Sequence, residues 1–139
     1  MNTVEGLLEQ AQTLQDKGKT EEALEQYSKS FDLLIDDAGK YATAQESHIT
    51  DLEELRKIAP TLFAHSKTYL KKDITASYIL NAMGVLFAEL RDYPNAEQKL
   101  LESIDYIPDG TDYPDPADNL ERIASEVAAA RAAAESEQE

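Results

Sequence analysis

The chain has 139 residues, 42% of them hydrophobic, with five Gly, five Pro, no Cys and a formal net charge of −15. That length suits one domain with a real core, and the missing cysteines exclude a disulfide framework, a thiolate nucleophile and a cysteine zinc site. The negative balance argues against nucleic acid, whose phosphates need a basic surface, and the lack of a long apolar window or a signal-peptide start predicts a cytoplasmic protein with no membrane partner.

Ala, Leu, Glu, Lys and Gln are plentiful, and no stretch alternates apolar and polar residues between turn signals, so an all-α fold is predicted. Asn2 and Glu5 have the spacing of a capping box at the start of a helix over about 3–16. Its stripe is Val4, Leu7, Leu8, Ala11 and Leu14. Gly18 is placed to end that helix and Thr20 to cap the next, whose stripe is Ala23, Leu24, Tyr27, Phe31 and Leu34. So short a turn makes the two helices pack antiparallel.

A stripe of Tyr41, Gln45, His48, Leu52, Leu55 and Ala59 follows, and Pro60 is placed to start a helix bearing Leu62, Phe63, Tyr69 and Leu70. Apolar spacing from 62 to 90 also fits one continuous helix, with a break near Asp73 the preferred reading. Leu80, Met83, Gly84 and Phe87 come before a turn, and Ala96, Leu100 and Ser103 follow it. Asp92 is placed to cap the second of these helices, Pro94 is tolerated in its first turn and Pro108 helps stop it. Residues 109–114 read as a loop, and Asp115 with Pro116 opens a last helix whose apolar face is Leu120, Ile123, Ala124 and Val127.

Leu7, Ala11, Leu14, Ala23, Tyr27 and Ser30 in the first hairpin, with Gln10 an imperfect occupant, and Leu80, Met83, Gly84, Phe87, Ala96, Leu100, Ser103 and Pro108 in the late one, resemble the tetratricopeptide repeat pattern of large, small and aromatic positions. The two matches lie 73 residues apart, which leaves room for a longer, degenerate middle repeat. The resemblance implies a short right-handed superhelix of stacked antiparallel hairpins over 1–114, with units at about 3–36, 40–72 and 74–108. Residues 115–139 then form a C-terminal capping helix and acidic tail.

No catalytic constellation is evident. His48 and His65 lack metal spacing, and neither a nucleophile elbow nor a phosphate-binding glycine loop is present. The aspartates at 105, 109, 112, 115 and 118 lack the order of a calcium loop and read as caps and loop solvation. No enzyme activity, metal or cofactor is therefore expected.

In the tetratricopeptide family the first helix of each repeat lines a concave groove. That resemblance points to Gln12, Gln15, Tyr78, Asn81, Val85 and Glu89 as partner-binding residues, along with Glu5 and Leu8. Where some members carry a carboxylate clamp of Lys, Asn and Arg, this chain has Leu8, Gln12, Tyr78 and Ala82, so a protein or peptide with apolar or basic anchors is expected rather than an acidic C-terminal tail. An adaptor or chaperone is the implied role, and small secretion-system chaperones are similar in architecture.

Charge is uneven. Arg56, Lys57, Lys67, Lys71 and Lys72 stand in a stretch with no acid, whereas eleven acids face two arginines from 102 to 139. The basic segment is either a solvated helix face or a docking segment for an acidic partner or the chain's own tail. Two other readings stay open. One is a structural subunit that homo-oligomerises through exposed helix faces. In the other, residues 3–72 resemble a three-helix microtubule-interacting and transport domain, which leaves the late hairpin unexplained.

Overall fold

A computed structural model of the chain describes residues 3–45 and 60–138. Six helices and no strand occur among the described residues. The first, α1 (Val4–Asp16), is capped by Thr3, whose Oγ1 accepts the Gly6 N–H at 3.0 Å. The cap therefore sits one residue beyond the expected Asn2, which lies outside the described residues. Gly18, at φ 77°, closes the helix. The Gly18 N–H donates to the Gln15 carbonyl and the Lys19 N–H to that of Leu14, the paired bonds of a left-handed helix stop.

Helix α2 (Thr20–Gln45) runs 26 residues without interruption through the point where a new unit was expected at 40. The reason lies in its stripe. Ala23, Tyr27, Ser30, Leu34 and Ala38 are all buried at helical spacing, so the apolar face continues past Leu34. One Gly39 costs about 1 kcal/mol against Ala, too little to break a helix whose flank is buried. Thr20 also differs from expectation: its hydroxyl donates to Glu89 at 3.3 Å, tying the start of α2 to a distant helix.

Pro60 opens α3 (Pro60–Leu70) as expected. The chain then breaks at 71–74 before α4 (Thr75–Glu89), so the continuous helix from 62 to 90 is not formed. Asp73 Oδ1 accepts the Thr75 N–H at 2.9 Å and so supports the new helix start. Nine residues of α4 are buried, from Ala76 to Leu86, and the side that carries Tyr78, Val85 and Glu89 stays half-buried or exposed. This is a central helix, packed on α2 across one flank and on α5 (Tyr93–Asp105) across another.

The α4–α5 contact is close. A Cβ at Gly84 would lie 2.6 Å from Leu100 Cγ, so only glycine permits this approach. Asp92 caps α5 by accepting the Asn95 N–H, as the sequence predicts, while Arg91 occupies the left-handed region at φ 61°. The last helix, α6 (Asp115–Gln138), lays Ile123, Leu120 and Val127 against Ala96 and Leu100. Pro116 near its start is fully buried.

The equivalences read from the sequence have matching environments. Leu7 and Leu80, Ala11 and Gly84, Ala23 and Ala96, Tyr27 and Leu100, and Ser30 and Ser103 are buried pair by pair, and Leu14 and Phe87 are both half-buried. The two hairpins meet directly through α2 and α4, with α3 alongside on α2. There Ser66 Oγ donates to the Ala38 carbonyl. One core joins Tyr27, Leu34 and Ala38 to Leu70, Ile79, Leu80, Met83 and Leu86, and a smaller one lies between α5 and α6.

Candidate functional site

Residues on α1 and α4 that the sequence singles out are brought together. Gln12 Nε2 donates to the Tyr78 hydroxyl across the α1–α4 junction. Beside it the Tyr27 hydroxyl donates to Gln15 Oε1 at 2.9 Å. Burial pushes the Tyr27 phenol well above its ordinary range, with the neighbouring Tyr78 adding to the effect, so Tyr27 stays a neutral donor. The cluster is a set of uncharged amides and phenols held by three helices.

Asn81 is only 8% exposed, and its amide is engaged on both sides. Its Nδ2 donates to the Tyr113 hydroxyl at 3.4 Å, and its Oδ1 accepts from Asn119 Nδ2 at 2.9 Å. Asn81 thus holds the loop before α6, and α6 itself, in place. Tyr113 and Asn119 are the outward members of this group, both half-buried. Burial first, then the nearby Asp115 carboxylate, raises the Tyr113 phenol, against an opposing hydrogen bond from Asn81. Val85 is half-buried one turn on from Asn81, and Glu89 at the end of α4 is the acceptor for Thr20.

Tyr113 and Asn119 carried no sequence signal. One sits in a loop read only as turn residues, and the other falls outside the apolar stripe of α6. Their role follows from the closure of the 106–114 loop, which the spacing within a helix does not report.

The chemistry available on this face is hydrogen bonding. Gln12 Oε1, the Gln15 amide N–H groups and the Tyr113 hydroxyl proton have no partner among the described residues, and each can pair with a peptide backbone. Among the described residues no group of three or more His, Asp or Glu side chains converges as metal ligands would. No helix among them is long and apolar enough to cross a membrane.

The basic segment has its own arrangement. Arg56 and Lys57 lie outside the described residues. Lys67 Nζ reaches both oxygens of Asp105 at 2.9 and 3.1 Å, and Lys71 reaches Asp109 at 3.3 Å. The two lysines are four residues apart, Lys67 in the last turn of α3 and Lys71 just beyond its end, and their partners are likewise four residues apart at the end of α5 and just beyond it. Lys72 lies 4.1 Å from the centroid of the Tyr69 ring, and that tyrosine is the main cause of its raised pKa. The chain's own carboxylates thus pair with two of the basic segment's three described lysines.

Against family models, curated proteins and solved structures alike, the chain gives no match.

Proposed function

We propose that this chain is a non-enzymatic protein-interaction module, an adaptor or chaperone built from tetratricopeptide-like hairpins stacked as a short right-handed superhelix. It holds a peptide or a segment of a partner against the face made by α1, α4 and α6. The observation that carries the reading is the uncharged array of Gln12, Gln15, Tyr78, Tyr113 and Asn119, anchored from behind by Tyr27 and Asn81. Aromatic side chains give contact area at low entropic cost, and fixed amides suit an extended backbone. The matching burial of the two hairpins supports the repeat reading, because Ala11, Ala23 and Ala96 are fully buried small residues and Gly84 stands against Leu100 and the Ala96 carbonyl where a side chain would not fit.

Affinity capture from the native host tests this, with the wild type and a Gln12→Ala/Tyr113→Phe variant as baits and quantitative mass spectrometry as the readout. The reading expects at least one protein recovered tenfold or more above the variant. Equal recovery by both baits contradicts it.

A further inference from the structure

Helices α5 and α6 leave a second cleft that the face above does not use. Tyr93 and Pro94 at the start of α5 lie opposite Ala130 and Arg131 late in α6, so the two helices run antiparallel with a furrow of about 780 Å³ between them. It continues into a hollow of about 480 Å³ floored by Leu120, Ala124, Val127 and Ala128. Leu101 stands in both with 52% of its surface exposed, the largest exposure of any bulky apolar side chain among the described residues. Water against such a floor is unfavourable, and furrows of this kind mark interaction sites.

The charge around the cleft says what fits it. Glu97 and Glu121 stand on its rim with no ion pair among the described residues, and Arg131 is the one base there. Over their whole lengths α5 carries three acids against one base and α6 six against two. A second copy of the chain would bring the same excess of carboxylates to the contact, whereas a basic segment is attracted. An antiparallel helix pair offers a seat for a third helix, and the 13 residues of α5 give it roughly 20 Å of length, or nearly four turns.

We propose that the α5–α6 cleft docks an amphipathic helical segment of another protein, one that sets Leu or Ile anchors against Leu101 and Val127 and carries Lys or Arg beside Glu97 and Glu121. This surface is separate from the α1, α4 and α6 face, and the proposal holds whether or not that face binds a peptide.

Fluorescence anisotropy with a labelled 18-residue probe peptide tests it at physiological salt. The probe has Leu at alternating three- and four-residue spacing and Lys on its flanks, and a shuffled peptide of the same composition serves as the comparison. Saturable binding of the probe is expected, with the shuffled peptide at least tenfold weaker. Leu101→Asp, an exposed position whose folding circular dichroism verifies, is expected to weaken binding at least tenfold. Glu97→Lys with Glu121→Lys weakens it threefold or more, and Gln12→Ala leaves it unchanged. Any of four results overturns the proposal: no probe binding, equal binding of the shuffled peptide, unchanged affinity in Leu101→Asp, or loss in Gln12→Ala alone, which would move the peptide to the other face. A dimer seen by light scattering that Leu101→Asp dissolves assigns the cleft to a second copy and likewise overturns it.

Discussion

Ser77 and Ser103 exchange hydrogen bonds across the α4–α5 contact. Ser77 Oγ donates to the Ser103 carbonyl at 2.8 Å, Ser103 Oγ donates to the Ser77 carbonyl at 2.7 Å, and the two hydroxyl oxygens lie 3.0 Å apart, fully buried. Small side chains allow the backbones to approach, and each hydroxyl is satisfied by the other residue's carbonyl. Replacing either by Ala is expected to cost about 1 kcal/mol, the net value of one such bond. Ser103→Val should cost more, about 1–3 kcal/mol, because the site has no room for extra methyl groups. Urea denaturation of both variants checks the order.

Gly84 is the tighter point of the same contact. Ala is the better helix former by about 1 kcal/mol, yet a methyl at this position would lie 2.6 Å from Leu100 Cγ and 3.2 Å from the Ala96 carbonyl. Packing outweighs propensity, so Gly84→Ala is expected to lower stability by about 1–3 kcal/mol. The thermal midpoint of Gly84→Ala gives the sign, and Gly84→Ala in a Leu100→Ala background should show a smaller loss than in the wild type.

Arg91 gives the opposite sign. It holds φ 61° at the end of α4, with the Arg91 N–H on the Ala88 carbonyl and the Asp92 N–H on that of Phe87. The same bonds close α1 around Gly18 at φ 77°. Arg91→Gly is expected to stabilise by about 1 kcal/mol, and Gly18→Ala to destabilise by a similar amount. Thermal denaturation of the two variants side by side decides it.

Asp73 makes the α3–α4 break sensitive to acid. Burial works to raise its carboxyl, but the hydrogen bonds from Thr75 and the nearby Lys72 outweigh that and hold it below its ordinary value of 3.8. A depressed native value means a contribution to stability that is complete above the unfolded value and disappears as pH falls through the native one. The stability difference between wild type and Asp73→Ala should therefore be constant from pH 5 to 8, about 0.5–1 kcal/mol, and shrink below about pH 4. Denaturation across that range measures it.

Much of the fold was legible because its causes are local. The spacing of Leu7, Ala11, Ala23 and Tyr27, repeated 73 residues later, is set by helix period and by the need for small residues where helices touch. Pro60 and Gly18 act through their own backbone geometry, Asp73 and Asp92 through carboxylates that accept N–H groups two and three residues on, and all four stand where the sequence places them. The continuation of α2 to Gln45 was hidden, because Gly39 and Lys40 look like punctuation until Ala38 is seen buried under Ser66.

The candidate site was legible in part. Gln12, Gln15 and Tyr78 were expected on one groove because of the tetratricopeptide resemblance, since helix period alone relates residues within α1 or within α4 but not between them. The engagement of Asn81 by Tyr113 and Asn119 depends on where a loop closes, and the pairing of Lys67 with Asp105 joins residues 38 apart. Charge blocks can be read from a sequence, but their partners are set by the tertiary fold.

The central claim is that a partner lies on the face of α1, α4 and α6. Oxidative footprinting of the chain, free and in complex with the captured partner, tests it most directly, because Tyr78 and Tyr113 are both half-buried and can react in the free state. Slower modification of both tyrosines in the complex is the predicted result. Equal modification rates in the free and bound chain would contradict the account.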